Sequence, residues 1–174
     1  MTDATAQLLP EAGGLHRVEL AGSFAHPHWL AFLCGGLSAE GVSVVAGRAV
    51  RPTPLHWEGH LVLDGPVEGL DVVALAGRRP PVRDAAVPVI TWATADRRSD
   101  GRLSLSLEAP DALGFLGRLL GRISLLALLP VEVEIATVEG RIKDRFALSG
   151  IGRSAPGDDV LDALRTMLTS MTRP

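Results

Sequence analysis

The stretch that decides the fold class is VEVEIATVEGRIKDRFAL, which occupies residues 131–148. Apolar and polar residues alternate on both sides of Glu139-Gly140, a pattern typical of two β-strands joined by a two-residue turn. Such a turn sets apolar residues opposite one another on one face and opposite charges on the other. The predicted pairs are Val133 with Phe146, Val131 with Leu148, and Glu134 with Arg145. One face of the hairpin can therefore receive helices, whereas the other is charged.

Outward from this hairpin, the second half of the chain continues with strand and helix patterns. Residues 102–109 alternate like a strand and run into a turn at Pro110, which precedes an apolar helical series. After the hairpin, residues 156–159 place two acidic residues before a second apolar stripe, as suits the N-terminus of a helix. The predicted order is strand, helix, strand, strand, helix.

The first half repeats the apolar positions of the second half, although few of the residues are identical. The helical series recurs at a constant shift of 86 residues, and the second strand of the hairpin recurs at a shift of 85. The matched sets are Leu30, Leu33, Cys34 and Leu37 with Leu116, Leu119, Leu120 and Ile123, and Trp57, Leu61, Leu63 and Gly65 with Ile142, Phe146, Leu148 and Gly150. The chain therefore contains one structural unit twice.

The elements of the first half follow the same order and add a final strand. Strand patterns cover residues 16–22, 42–50 and 55–63, a helix pattern covers 66–76, and a last strand pattern covers 87–95. The predicted fold is α+β, with two ferredoxin-like βαββαβ modules in tandem, antiparallel sheets and helices on one face.

This order divides the chain into four segments. Residues 1–14 are expected to be a flexible tail and residues 15–95 the first module. The polar stretch 96–101 is expected to be a linker, and residues 102–174 the second module.

Composition excludes several function classes. Seventeen basic and 20 acidic residues give a net charge of −3, which provides no basic field for nucleic acid. No segment approaches the ~20 apolar residues that span a bilayer, and the polar start lacks the order of a signal peptide. We therefore expect a cytoplasmic protein with neither nucleic-acid nor membrane partners. The single cysteine, Cys34, lies in an apolar helical series and is expected to be a buried, unreactive thiol.

Three stretches of the second half carry a family resemblance. They are LEAPDALGFL at residues 107–116, IATVEGR at 135–141 and DRF at 144–146. Together they resemble the ACT domain, and in particular the pair of ACT domains at the C-terminus of the glutamine-sensing bidirectional uridylyltransferases. The resemblance covers residues 102–172 well, whereas residues 15–95 share only the architecture. The catalytic domain that such modules regulate is absent from this sequence.

The resemblance implies a ligand site where the loop after the first strand meets a neighbouring module, typically for an amino acid. A glycine at the start of the following helix lets backbone N–H groups approach a ligand carboxylate, and the helix dipole assists. On this basis the expected ligand-binding residues are Asp111, Leu113, Gly114 and Phe115. The chain departs from the family pattern at Ala112 and Leu113, where the family has Arg and Pro.

The same glycines also have a purely structural interpretation. Gly114, Gly117 and Gly121 follow one another along the helix, and small residues at such spacing let two elements pack closely. Four leucines lie outside the main apolar stripe and would need a second partner, which favours a homodimer. They are Leu113, Leu125, Leu128 and Leu129.

Histidines accumulate in the first half, where the loop glycine is missing. His26 and His28 occupy the loop, while His56, Glu58 and His60 alternate on the polar face of the third strand. Because that strand runs antiparallel to the first strand and beside it, these groups could meet and bind zinc or act as an acid–base pair. The polar face of a sheet is, however, where any polar residue must lie, and no known metal motif supports the cluster.

Three functions remain open from the sequence. The first is a stand-alone ACT-type regulatory protein that binds an amino acid or related metabolite without a cofactor and is read by a separate partner protein. The second is a small enzyme, possibly metal-dependent, built on the His26, His28, His56 and Glu58 region. The third is a structural subunit of a larger assembly. No complete catalytic motif is present.

Overall fold

The computed structural model describes residues 3–81 and 87–172. Within these ranges the chain forms eight strands and four helices, numbered in chain order. The strands are β1 (Thr5–Pro10), β2 (His16–Gly22), β3 (Ser43–Val50), β4 (Trp57–Asp64), β5 (Trp92–Arg97), β6 (Leu103–Pro110), β7 (Leu128–Val138) and β8 (Arg141–Gly150). The helices are α1 (Trp29–Ala39), α2 (Val72–Gly77), α3 (Phe115–Ser124) and α4 (Asp158–Met171).

All these strands form one antiparallel sheet in the order β1-β2-β4-β3-β7-β8-β6-β5. The α+β class with antiparallel strands is confirmed, but one continuous sheet replaces two separate ones. Strands β3 and β7 pair at its centre, with Arg48 opposite Glu134, and thereby join the two halves. The strand order of one half reverses that of the other, so an approximate twofold axis passes between these two residues.

The outer strands correct the predicted segment boundaries. Residues 5–10 are not a flexible tail, since β1 pairs with β2 along its length and occupies the outer edge of the first half. Strand β5 pairs with β6 and so completes the second half rather than the first. Residues 96–101 are therefore not a linker; they lead into a hairpin turn closed by the Arg98 N–H donating to the Arg102 carbonyl at 2.8 Å. The boundary between the halves lies between α2 and β5.

The hairpin of β7 and β8 has the predicted turn and most of the predicted register. Glu139 and Gly140 have φ angles of 52° and 73°, which is the left-handed pair that a type I′ turn requires. Val133 lies opposite Phe146, and Glu134 lies opposite Arg145. The predicted pairing of Val131 with Leu148 is wrong, because a bulge at Val131 sets Pro130 opposite Leu148.

Helices cover the apolar face of the sheet and bury one shared core. The predicted apolar series of α1 and α3 are buried against inward-facing residues of the strands. Helix α2 is shorter than predicted and begins at Val72, because the Asp71 carboxylate accepts a hydrogen bond from the Ala74 N–H at 2.9 Å and so caps it. The predicted strand at 87–95 begins only at Trp92. No helix within the described ranges is long and apolar enough to span a membrane.

Helices α1 and α3 approach closely across the axis. A Cβ atom on Gly117 would lie 2.9 Å from the backbone nitrogen of Gly35, so this glycine is needed for the helix contact. Gly121 has no atom within 4 Å of such a position, and the packing interpretation therefore does not extend to it. Leu128 and Leu129 need no second partner, because α3 ends at Ser124 and both leucines are buried in β7.

Candidate functional site

A cleft lies where the two halves meet on the helix-covered side of the sheet. It is lined by α1 and β3 of the first half and by the β6–α3 loop, α3, β7 and β8 of the second half. The cleft has a free volume of about 30 Å³. The polar side chains in its lining are Ser43, Asp111, Thr137 and Asp144, together with the thiol of Cys34.

The β6–α3 loop supplies one wall of the cleft. Its first residue is anchored by the Asp111 N–H, which donates to the carbonyl of Gly140 in the hairpin turn at 3.0 Å. Gly114 then adopts a left-handed conformation, with φ 77°, as the N-cap residue of α3. A Cβ atom at this position would lie 2.6 Å from Ser38 Oγ of α1. The glycine is thus required both by its φ angle and by the closeness of the other half.

Asp144 is the most unusual residue in the cleft. It lies on β8 between Ile142 and Phe146 on the inward face, and only 1% of its surface is exposed. Its one hydrogen bond is a long one, from the Ala136 N–H at 3.4 Å. In the described part of the chain no arginine, lysine or histidine pairs with it. The second half therefore holds a buried carboxyl group without a counterion.

Burial dominates the electrostatics of this carboxyl group. Desolvation raises the pKa of Asp144 from an ordinary value of 3.8 to about 7; the hydrogen bond from Ala136 opposes that rise, and the nearby Asp111 adds to it. Near neutral pH the group is consequently poised between its protonated and ionised forms. A buried carboxyl with such a pKa in a cleft is typical of functional sites.

Cys34 lines the same cleft from α1, and the structure confirms that its thiol is buried. Burial raises the pKa of the Cys34 thiol, and the negative charge of Asp144 raises it further. Because the thiolate is the reactive form, this cysteine is a packing residue and not a nucleophile.

The residues expected from the sequence fall partly in this cleft. Asp111, Gly114 and Phe115 all line it, whereas Leu113 points away and is 47% exposed. Asp144 was missed as a site residue, although its sequence position carried a signal. In the alternation of β8 it falls in register with Ile142, so an acidic side chain was due to point into the core.

The equivalent region of the first half is filled by aromatic side chains. At the repeat shift of 85 residues, Asp144 corresponds to Gly59, whose missing side chain leaves room for the Arg48 carbonyl. Phe24 stacks on Trp29 with ring centroids 3.9 Å apart. Trp29 in turn meets Trp57 edge-on at 5.2 Å. The two halves thus differ, since the first has an aromatic plug where the second has an acidic cleft.

Two pairs of the candidate residues lie close together, namely His26 with His28 and His56 with Glu58. His26 and His28 pack on Phe32, with ring centroids 4.6 and 6.4 Å from it. Burial lowers the pKa of His28, and the neighbouring His26 lowers it further. His56 pairs instead with Glu58, with 3.4 Å between Nε2 and Oε1. The catalytic hypothesis for these residues stays a prediction, and neither this cleft nor the groove on the opposite sheet face includes a histidine.

The zinc site considered as a possibility for the histidines and Glu58 finds no support in the structure. Across residues 3–81 and 87–172, no group of three or more histidine, cysteine, aspartate or glutamate side chains is placed to hold a metal ion.

Comparisons with protein-family models, with curated proteins and with solved structures found no match.

Proposed function

We propose that the chain is an ACT-type binding module whose cleft takes a small molecule with a cationic amine, as in an amino acid. The observation that carries this proposal is Asp144, a buried carboxyl group that lines the cleft and forms no ion pair with residues 3–81 or 87–172. An ammonium group placed beside it would provide the missing charge.

The free energy available to such a ligand follows from the pKa of Asp144. A rise from 3.8 to about 7 corresponds to roughly 4 kcal/mol of disfavoured ionisation in the empty cleft. A ligand cation recovers part of that cost, since an opposite charge nearby favours the ionised carboxylate. Asp111 adds a second negative charge at the same end of the cleft. Neutral and anionic ligands gain no binding energy from the carboxylate of Asp144.

The opposite end of an amino acid, its carboxylate, suits the start of α3. This helix of 10 residues has no acidic residue in its first turn, and the nearest carboxyl group before it in the chain is that of Asp111. The first N–H groups of a helix lack intrahelical acceptors and are a common anion site. Both charges of a zwitterion therefore have a complementary group in one cleft.

The small free volume links binding to a movement between the halves. A free volume of about 30 Å³ is too small for an amino acid, so binding would require α1 and α3 to move apart. The contact that must open is the one between Gly35 and Gly117. Ligand binding would then change the relative position of the two halves, and a partner protein could read that change.

A homodimer is the second part of the proposal. Leu113 and Leu125 remain on the surface, with 47% and 82% of their areas exposed. Both flank α3, one before it and one after it, and a second copy could cover them. Light scattering of the wild type and of a Leu125→Ser variant tests this, and a monomeric wild type would refute it.

Thermal denaturation with a panel of amino acids tests the binding proposal. Each amino acid is compared with its hydroxy acid, which lacks the amine, and with the amine that lacks the carboxylate. At a ligand concentration about 100 times its Kd, stabilisation should reach about 2.7 kcal/mol, a rise in Tm of roughly 5–10 °C for a chain of this size.

The matched control for this experiment replaces an exposed carboxylate. Asp144→Asn should abolish the ligand-induced shift, while Asp162→Asn on the exposed face of α4 should retain it. A flat response to the whole panel, or an equal response of Asp144→Asn and wild type, would contradict the proposal.

A further inference from the structure

The sheet face without helices carries a row of polar side chains across the axis. Successive strands place these residues directly opposite one another, from β2 through β6. In strand order the row is Glu19, His60, Arg48, Glu134, Arg145 and Ser106. Acidic and basic groups alternate at its centre, and Arg48 comes from the first half while Glu134 and Arg145 come from the second.

A groove of about 250 Å³ lies along the centre of this row. Arg48 and Arg145 form part of its lining, together with Glu134 and the hydroxyl-bearing Ser106. Drug-sized ligands occupy pockets from about 300 Å³ upward, so this groove suits a small metabolite. Its free space is several times that of the helix-side cleft.

The charges of the groove do not balance. Glu132, at one end, is already held by Arg98 at 3.1 Å and by Arg102 at 2.9 Å. Arg48 and Arg145 form no ion pair with any side chain of residues 3–81 and 87–172. Only Glu134 lies between them in the row. The groove thus carries an excess of positive charge on a chain whose net charge is −3.

We propose that this groove binds a small anion with a carboxylate or phosphate group, held between Arg48 and Arg145. The planar guanidinium offers two parallel N–H donors that match either anion, which makes arginine the usual residue for both. Ser106, directly opposite Arg145, adds a hydroxyl donor at the same end. Glu134 lies between the two arginines, and its negative charge weakens the binding of an anion.

This groove is independent of the cleft proposed above. Its lining residues project from the opposite face of β7, where Glu134 faces the groove and its neighbour Ile135 faces the cleft. Because Arg48 and Arg145 belong to different halves, an anion between them bridges the same β3–β7 seam that the cleft adjoins. Occupancy of the groove would therefore hold the two halves together.

Isothermal titration with inorganic phosphate and with succinate tests the inference and distinguishes the two anion classes. Wild-type protein should bind at least one of them, and binding should weaken as salt is raised. Arg48→Gln and Arg145→Gln should each weaken binding about tenfold, and the double variant should abolish it. Glu134→Gln should strengthen it, because the competing carboxylate is gone.

The matched control is Arg79→Gln, which removes the same charge from an exposed position outside the groove. It should bind as the wild type does. The inference is overturned if the wild type binds neither anion, if the double variant binds as well as the wild type, or if Arg79→Gln causes an equal loss. Circular dichroism of every variant separates lost binding from lost folding.

Discussion

Replacing Asp144 by asparagine should stabilise the fold, and the gain should depend on pH in a defined way. The carboxyl group is almost completely buried, and the pKa in the folded protein is about 7 against an ordinary value of 3.8. Asparagine has nearly the same shape but cannot ionise. The variant therefore removes the charge while it preserves most of the packing.

The direction in which wild-type stability changes with pH follows from the pKa difference between the folded and the unfolded chain. Below about pH 4 the carboxyl is protonated in both the folded and the unfolded chain, so its ionisation adds no difference between wild type and variant. Between pH 4 and 7 the unfolded chain ionises while the folded one keeps its proton, and wild-type stability falls as the pH rises. A raised pKa of about 7 makes this loss roughly 4 kcal/mol by the time the pH exceeds 7.

The assay is urea unfolding of both proteins at intervals from pH 4 to pH 8.5. The quantity of interest is the stability of Asp144→Asn minus that of the wild type, because the other carboxylates cancel in that difference. It should rise by up to roughly 4 kcal/mol between pH 4 and 7 and then stay level, a large part of a typical total of about 5–15 kcal/mol. A difference that is constant across the range, or that falls with pH, would refute the reasoning.

Three further predictions concern packing and the outer strand. Gly117→Ala should lower the free energy of unfolding, measured with denaturant, by about 1–3 kcal/mol, because the new methyl group meets the backbone of α1. Gly121→Ala is the control, and it should leave the free energy of unfolding unchanged because its methyl group meets no atom. Deleting residues 1–10 should lower Tm and promote self-association in size-exclusion chromatography, since the loss of β1 exposes the edge of β2; an unchanged elution volume and Tm would contradict this. Cys34 should react with a thiol reagent far more slowly than an exposed thiol does, so rapid labelling of the native protein would show that its burial is wrong.

Much of the fold could be predicted because the apolar periodicity is local and occurs twice. Each half carries its own helix series and hairpin pattern, and those elements formed where the pattern placed them. The turn at Glu139-Gly140 could be read directly, since its two residues suit the left-handed φ angles of a type I′ turn.

The outer strands could not be predicted in the same way. Whether β5 pairs with the half before it or with the half after it depends on distant strands, and its own residues carry no sign of the choice. The same is true of β1, whose six residues show no clear alternation and form a strand only because β2 provides a free edge. The bulge at Val131 likewise arises from the fit between two strands.

The candidate site was only partly accessible from the sequence for a related reason. Asp111 and Gly114 were implied by the family resemblance of residues 107–116, which are contiguous in the chain. The role of Asp144 depends on what covers it, namely α1 of the other half, and on the absence of a counterion within reach. The aromatic cluster around Trp29 also depends on contacts between residues that are distant in the sequence.

Proton release during ligand binding tests the central claim most directly. For the amino acid that stabilises the protein most, calorimetric titration in buffers of different ionisation enthalpy measures the protons exchanged. At pH 6 the carboxyl of Asp144 is largely protonated, since its pKa is about 7, and an arriving ammonium group should expel that proton. The account predicts release of close to one proton at pH 6, almost none at pH 8.5, and none at either pH for Asp144→Asn. Binding without proton release at pH 6, or equal release by the variant, would contradict it.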